Sequence, residues 1–531
     1  MAKGKEIAGK YWEKYKKQES PFALYSPFLV CVAAGDLDFR SFNLCISQDY
    51  YFLDAFVQAY RLAEDSVERK ENKKLKHNLR ERTWGFGEVP KMSRPDDTTD
   101  KYMDFLVTIA CGKVGGEQLV RNQKHGNFAA FTLSATAPYM RLYAHLCDTI
   151  LTNLDPNMKD ANNYGKWLEY YSSQAIKDLA QKTDYVLDIL SESLNEEELL
   201  TTEKVYHQAM KIQVEFLASR PMFQQTVVPL SRFQILNKSQ LTIFSNFSFT
   251  CSVEHFSAEL GKIAVSTRTQ WHDITKQYLE ELQQCIESST TASLPSPTNN
   301  GKNFHYDDLT KALEQVAGIE KKRNAKVEES GMLKGVSLDG IKRAGEKLVF
   351  RNGCKEFFRK IRNENPNINV HFISSCWCGA LIISAFSPDV KASNIHANEL
   401  MYNEESLTTG KIVKNVESPF DKHQAFMKVQ RDISVAVRSS GDQGKHLEVY
   451  IGGSVGDLLC LVEADIGIVF GSDSSLRTLR QHFGLSFVPL LQGVVKKQME
   501  RVDWKPQLGI LYTVESWAEI QSFISGFSKF D

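Results

Sequence analysis

The sequence predicts a chain of two parts: an all-α helical bundle over residues 1–222, and an α/β doubly wound sheet with a helical cap over residues 223–531. Three observations predict it. Apolar residues recur at helical spacing, i and i+3 or i+4, almost throughout the first 220 positions. After Pro221 short apolar β-type runs alternate with helical segments, the pattern of a mostly parallel sheet. Between the first two of those runs, His255 to Leu348 is largely helical and too long for a simple crossover, so it reads as an inserted cap.

The elements follow in order. The opening MAKGKEIAGKYWEKY lacks the apolar core of a signal peptide and the Arg/Ser bias of a transit peptide, so a cytoplasmic location is expected. Phe42, Ile46, Asp49, Phe52, Leu53 and Phe56 fall near one helix face. The Lys-rich run from Glu68 to His77 is short and broken by acids, and is read as a solvated helix face. Amphipathic runs cover Thr132 to Thr152, Tyr164 to Leu190 and Glu196 to Ala218, which suits a bundle. Strands are expected at Leu241–Ser245, Asn369–Ile373, Leu447–Ile451, Ile466–Phe470 and Gly509–Val514, with helices at Gly340–Arg362 and Gly456–Glu463. Within the cap, Ser288 to Lys302 is rich in Ser, Thr, Pro and Asn and is read as a mobile loop.

Composition narrows the function classes. A hydrophobic fraction of 42% and a charged fraction of 24% are those of an ordinary globular chain. A net charge of −1 leaves no global basic field for nucleic acid or an anionic membrane. The apolar stretch Leu458 to Gly471 is interrupted by Glu463 and Asp465, so no segment reads as membrane-spanning. None of the ten cysteines builds paired CxxC motifs, and the single CxC at Cys376 and Cys378 is weak evidence for metal. All ten are read as reduced thiols.

The second part carries a motif set. Its first strand reads Leu241-Thr-Ile-Phe-Ser-Asn246-Phe-Ser248-Phe-Thr250. A later one ends Val370-His-Phe-Ile-Ser374, a lysine follows in Ser418-Pro-Phe-Asp-Lys422, and a fourth segment reads Tyr450-Ile-Gly-Gly453-Ser-Val-Gly-Asp457. This series resembles the haloacid-dehalogenase (HAD) phosphatase pattern hhhhDxDxT, then Ser/Thr, Lys and GDxxxD. In that family an Asp nucleophile, an Asp acid/base, a phosphate-holding hydroxyl, a lysine and Mg²⁺-binding carboxylates act together. Here Asn246 stands at the nucleophile, Ser248 at the acid/base and Gly453 at the first carboxylate of the fourth motif; Thr250, Ser374, Lys422 and Asp457 match. Asn forms no acyl phosphate, and Ser is a poor proton donor near neutral pH. Mg²⁺ is the cofactor the resemblance implies, but most of its ligands are missing, so no cofactor is expected.

The resemblance extends over essentially the whole chain. The stretches SSCWCGALI, IGGSVGDLLCLVEADIGIVFG, HFGLSFVPLL and LYTVESWAEI are similar to the plant bifunctional thiamine-salvage family. That family fuses a TenA-like, haem-oxygenase-like helical domain to a HAD-type thiamine-monophosphate phosphatase. On the helical side it implies an Asp in a Gln-Asp-aromatic motif, matched by Gln48-Asp49-Tyr50-Tyr51-Phe52. It implies aromatic pocket residues, matched by Phe52, Tyr102, Tyr143 and, in a WxxxYSS segment, Tyr171. The family's nucleophilic cysteine follows a proline; Tyr139 follows Pro138 here. Gln213 falls at the family's catalytic Glu, and moving the assignment to Glu215 would turn the side chain by about 200° around the helix.

These residues predict a helical pocket that keeps its binding carboxylate and loses both its nucleophile and its acid/base. A carboxylate among aromatic rings suits an amine cation or a flat N-heterocycle. The Tyr139 hydroxyl is expected near Asp49 or Gln213. The reading is a divergent paralogue whose helical pocket binds or converts such a molecule, with a homo-oligomer formed through the helical domain. A working thiamine-salvage enzyme and a non-catalytic regulatory subunit stand as alternatives.

Overall fold

The computed structural model describes residues 6–65, 94–114, 117–118, 126–154, 159, 162–232, 240–264, 268–291, 304–439, 446–502 and 504–527. The Lys-rich run 68–77 and most of the Ser/Thr/Pro-rich stretch 288–302 lie outside the described residues. The chain divides into two compact units. One comprises residues 1–229 with 494–501 and 522–531; the other comprises 230–493 with 502–521.

The first unit is helical. Its helices are α1 (Ile7–Leu24), α2 (Pro27–Ala34), α3 (Phe39–Asp65), α4 (Asp97–Ala110), α5 (Gly126–Asn153), α6 (Gly165–Ser172), α7 (Gln174–Ser191) and α8 (Glu196–Ala218). A minimal hairpin, β1 (Lys113–Val114) with β2 (Glu117–Gln118), interrupts the series. Local chemistry explains the boundaries. Pro27 at the start of α2 and Gly35 at φ 71° after it set that helix, with the Ser26 hydroxyl accepting from Leu29 N. Asn195 and Glu198 close a reciprocal capping box at the start of α8. The run expected from Tyr164 to Leu190 is two helices, broken at Ser173, whose extended backbone ends α6. Most of the expected face of α3 is packed: Phe42, Ile46, Asp49, Phe52 and Phe56 are buried and Leu53 is partly buried, while Tyr50 on the other side is half exposed. Burying each such apolar side chain contributes about 1.5–3 kcal/mol.

The second unit is built on a seven-stranded sheet in the order β11-β12-β10-β9-β3-β5-β6. Its strands are β3 (Gln240–Ser245), β5 (Asn369–Ile373), β6 (Ile395–His396), β9 (His446–Gly452), β10 (Ile466–Phe470), β11 (Ser486–Pro489) and β12 (Ile510–Val514). Every pairing is parallel. β3 and β9 are buried nearly end to end, as a central parallel strand requires. The strand order reverses between β3 and β9, so a crevice opens beyond their carboxyl ends. Asn246, Ser374 and Gly453 directly follow the ends of β3, β5 and β9.

One expectation is extended and one needs correction. The insertion after β3 is largely helical, as expected, but not purely so. It holds α9 (Phe256–Ile263), α10 (Arg268–Thr291) and α11 (Tyr306–Ser330), but then β4 (Lys334–Ser337), which joins a separate antiparallel sheet with β8 (Leu407–Val413) and β7 (Glu399–Tyr402). The single helix expected over Gly340–Arg362 is two, Leu338–Glu346 and Cys354–Glu364. Gly353 at φ 80° turns the chain between them.

Candidate functional site

In the helical unit the residues singled out by sequence are all buried, and all but Gln213 are joined by ring contacts or a hydrogen bond. Asp49, Phe52, Tyr102, Tyr139, Tyr143, Tyr171 and Gln213 are each no more than 2% exposed. The rings form a continuous array. Phe52 stacks on Tyr102 at 4.3 Å and leans on Tyr139 at 4.7 Å; Tyr139 meets Tyr143 at 4.9 Å, and Tyr143 meets Tyr171 at 4.5 Å.

Helix geometry delivers each polar group. On α3, Asp49 lies one turn beyond Cys45 and one turn before Phe52, on the buried face. The Tyr143 hydroxyl donates to Asp49 Oδ1 at 3.3 Å, a long bond for a carboxylate. Asp49 Oδ2, the Tyr102 hydroxyl and both amide atoms of Gln213 make no hydrogen bond among the described residues. Burial pushes the Asp49 carboxyl up to about 7, against the pull of the Arg220 charge and the Tyr143 hydrogen bond. Burial first, and then the charge of Asp49, hold the Tyr102 hydroxyl well above its ordinary range.

Two side chains next to these residues have partners of their own. Glu215 is paired with Lys101 at 2.7 Å, so the carboxylate two residues from Gln213 is already engaged. Gln48, beside Asp49 in the motif, accepts from Asp96 N at 2.9 Å, and Asp96 in turn caps α4. Gln48 therefore ties the middle of α3 to the start of α4. The Tyr139 hydroxyl lies 3.5 Å from the Tyr171 hydroxyl. Residue 143, one helical turn further along α5, supplies the hydroxyl at the carboxylate. Sequence reasoning also missed Cys45 and Arg220, which sense Asp49 electrostatically.

In the second unit the motif residues assemble around the crevice. Asp457 is fully buried and every part of its carboxylate is engaged. Oδ1 takes Lys422 Nζ at 2.8 Å and the Tyr450 hydroxyl at 3.2 Å. Oδ2 takes Asn246 Nδ2 at 3.1 Å, Gly453 N at 3.1 Å, Ser454 N at 3.0 Å and the Ser454 hydroxyl at 2.7 Å. Asn246 Oδ1 accepts from Phe247 N at 2.8 Å and from Lys422 at 3.4 Å. The Ser248 hydroxyl accepts from Phe256 N at 3.4 Å, and that of Ser374 from Cys376 N at 3.2 Å. Thr250 Oγ1 has no partner among the described residues, while its carbonyl accepts from the Trp517 indole at 2.9 Å.

These donors do not fit Mg²⁺. The ion wants several oxygens, usually with more than one carboxylate. Asp457 is the one acid among the matched positions, and its oxygens already accept six hydrogen bonds. Among the described residues no group of three or more His, Cys, Asp or Glu side chains is placed to hold a metal. A side chain at Gly453 would also meet an obstacle: a Cβ there lies 2.7 Å from the Phe470 carbonyl oxygen. The cleft in front of these residues has a volume of ≈ 1520 Å³ and is closed on one side by α10 and α11.

No protein-family model matches the chain. It is 41% identical over 567 residues to the bifunctional TH2 protein, mitochondrial, of Arabidopsis thaliana, covering 98% of this chain and 89% of that one. Among solved structures, a phospho-aspartyl intermediate analogue of phosphoserine phosphatase matches with 15% identity and a TM-score of 0.29, covering 54% of this chain and 99% of that one. A TenA homologue from P. horikoshii OT3 matches with 16% identity and a TM-score of 0.31, covering 39% of this chain and 96% of that one. With a relative this similar along nearly its whole length, the chain belongs to the bifunctional thiamine-salvage family that joins a TenA-like helical domain to a HAD-type phosphatase-fold domain.

Proposed function

We propose that this member has left the family's hydrolytic chemistry. Its helical pocket binds or converts a small amine or N-heterocycle, and its phosphatase-fold unit releases no phosphate. One observation carries the pocket reading. Asp49 Oδ2, the Tyr102 hydroxyl and the Gln213 amide are buried polar groups with no hydrogen bond among the described residues, and Phe216, on the helix of Gln213, packs on Phe52 and Tyr102. Leaving such groups unmet costs about 1–3 kcal/mol each, so a ligand that supplies donors and one acceptor is favoured there. A cation or an amino edge suits the carboxylate, and a flat ring suits Phe52 and the tyrosines. Tyr139 in place of the thiol removes nucleophilic attack, and Gln213 offers no proton.

The phosphatase reading rests on Asn246 and Ser248, neither of which does the work of an aspartate. As the family resemblance implies, the protein is expected to form a homo-oligomer through the helical unit. No helix among the described residues is long and apolar enough to cross a membrane. We place the protein in the cytosol; organelle fractionation tests this against the mitochondrial relative.

The experiment is ligand-induced thermal stabilisation of the full-length protein with a panel of amines and aminopyrimidines. A ligand at 100 times its dissociation constant adds about 2.7 kcal/mol. Stabilisation by an amine or heterocycle that is not hydrolysed is the expected result. Turnover of an aminopyrimidine, or of thiamine monophosphate with Mg²⁺, would restore the family activity and overturn the proposal.

A further inference from the structure

The rings of the helical pocket are not packed equally on all sides. Phe52 meets Tyr102 at 4.3 Å and Tyr139 at 4.7 Å, and Tyr143 meets Tyr171 at 4.5 Å, so close ring contacts join α3, α4, α5 and α6. Phe216 of α8 stands further off, 6.1 Å from both Phe52 and Tyr102. The helices that meet at this looser seam each carry a buried polar group with no hydrogen bond among the described residues, the Tyr102 hydroxyl on α4 and the Gln213 amide on α8.

Charge fastens the same two helices. Asp96 caps the start of α4, and its Oδ2 lies 2.9 Å from Nη1 of Arg220, just past the end of α8. Lys101 of α4 pairs with Glu215 of α8 at 2.7 Å. Residue 96 pairs with 220 and residue 101 with 215, so the two helices run antiparallel through a double clasp. Each pair joins a buried charge on the α8 side to an open one on the α4 side. Arg220 and Glu215 have side chains 1% and 4% exposed, Asp96 and Lys101 39% and 45%. Pairs open to water at one end hold less firmly and weaken with salt.

The hold of α4 on α3 is of another kind. Asp96 N donates to the neutral Gln48 side chain at 2.9 Å, and Tyr102 stacks on Phe52. The pocket residues are no more than 2% exposed, so a ligand that reaches Asp49 needs one wall to move. The wall that combines the loosest ring contacts with water-accessible fastenings is α4 against α8.

We propose that a ligand enters the helical pocket by the parting of α4 from α8, and that the Asp96–Arg220 and Lys101–Glu215 pairs are the clasp that sets how often this seam opens. The ligand rests on the pocket reading above; the opening of the seam does not.

Cys45 reports the opening. It is fully buried on α3, one turn before Asp49, and the charges of Asp49, Arg220 and Asp96 all act on it, which places it behind the clasp. Cys147 on α5 is as deeply buried and has Asp148 as its charged neighbour, so it serves as the reference.

The test alkylates the full-length protein with N-ethylmaleimide and follows each cysteine by peptide mass spectrometry. In the parent, Cys45 should react faster than Cys147. Lys101→Gln, and Asp96→Asn, which keeps a capping side chain, should each speed Cys45 relative to Cys147 by about threefold, and the two together by about tenfold. Lys14→Gln, which breaks the pair of Lys14 with Glu203 on the other side of α8, should leave that ratio unchanged. Equal rates for Cys45 and Cys147 in the parent would mean exposure only by global unfolding and would overturn the proposal. Indifference of Cys45 to both clasp variants in folded protein overturns it as well, as does an equal response to Lys14→Gln. If neither clasp variant folds, the parent decides: raising salt to 1 M should speed Cys45 over Cys147 by about threefold, and no salt effect overturns the clasp. Benzylamine or 4-aminopyrimidine at millimolar concentration should slow Cys45. Failure of both to do so sinks the pocket reading alone, since the clasp variants act without any ligand.

Discussion

The Tyr143 hydroxyl donates to Asp49 Oδ1, while Oδ2 of the same buried carboxylate has no partner among the described residues. The carboxyl is held between two preferences. Burial favours the neutral acid, and Arg220 with Tyr143 favours the anion. A group held so should respond to pH, to a ligand and to the loss of either neighbour.

The pH response has a definite sign. Asp49 sits at about 7 in the folded protein against 3.8 for an ordinary aspartate. The folded state therefore keeps a proton that the unfolded chain has lost. Its stabilising contribution is complete below the unfolded value and is lost as pH rises from about 4 through 7, by up to about 4 kcal/mol. Asp49→Asn should flatten that part of the stability profile and melt above the parent at pH 8. Identical profiles for parent and variant in thermal melts from pH 4 to 8 would defeat this assignment.

Ligand binding should separate the tyrosines. Asp49→Asn should weaken an amine ligand by about 1.5–3 kcal/mol, the range for a charge-assisted hydrogen bond. Tyr143→Phe should cost about 0.5–1.5 kcal/mol and raise the Asp49 pKa further, because it removes a bond to the charged form. Tyr139→Phe should change affinity less than Tyr143→Phe, since the Tyr139 hydroxyl faces Tyr171. Calorimetry on the three variants checks the order; a larger loss for Tyr139→Phe would move the ligand along the ring array.

Restoring acids should not restore phosphatase action. Asn246→Asp with Ser248→Asp leaves the fourth motif without its first carboxylate, so phosphate release from thiamine monophosphate should not exceed a no-protein control. Adding Gly453→Asp pushes a Cβ against the Phe470 carbonyl at 2.7 Å and should lower stability by about 1–3 kcal/mol. Release by the triple variant at an unchanged melting temperature would show that the backbone has not adapted to glycine.

The buried pair in the crevice should be structural. Lys422 and Asp457 are 2.8 Å apart with side chains 4% and 0% exposed. Lys422→Met leaves a buried carboxylate without its cation and should destabilise the second unit by about 3–5 kcal/mol. Urea titration followed by tryptophan fluorescence measures it. A loss below 1 kcal/mol would mean that the four donors from Asn246, Gly453 and Ser454 satisfy Asp457 alone.

The hidden parts of the fold share a physical character. β11 and β6 are short and only partly buried, so no long apolar run marks them. The β7–β8 pair is an alternating, half-exposed hairpin whose Thr, Gly and Lys residues look like loop. Arg323 lies in the polar stretch Lys321-Lys-Arg-Asn-Ala-Lys326, which reads as a solvated helix face. Tertiary packing turns that side chain and the neighbouring Asn324 inward.

By itself the sequence determined the two-part architecture, the buried face of α3 and the identity of the altered motif positions. Those properties are local: periodicity, strand-ending motifs and residue types are written in consecutive positions. The tertiary structure alone decided which hydroxyl meets Asp49, that Glu215 is spoken for by Lys101, that no side chain fits at Gly453 without displacing backbone, and that Arg323 is buried against the rings of Tyr278 and Trp377. Each of these depends on distances between residues far apart in the chain, set by how helices and strands pack rather than by what any segment contains.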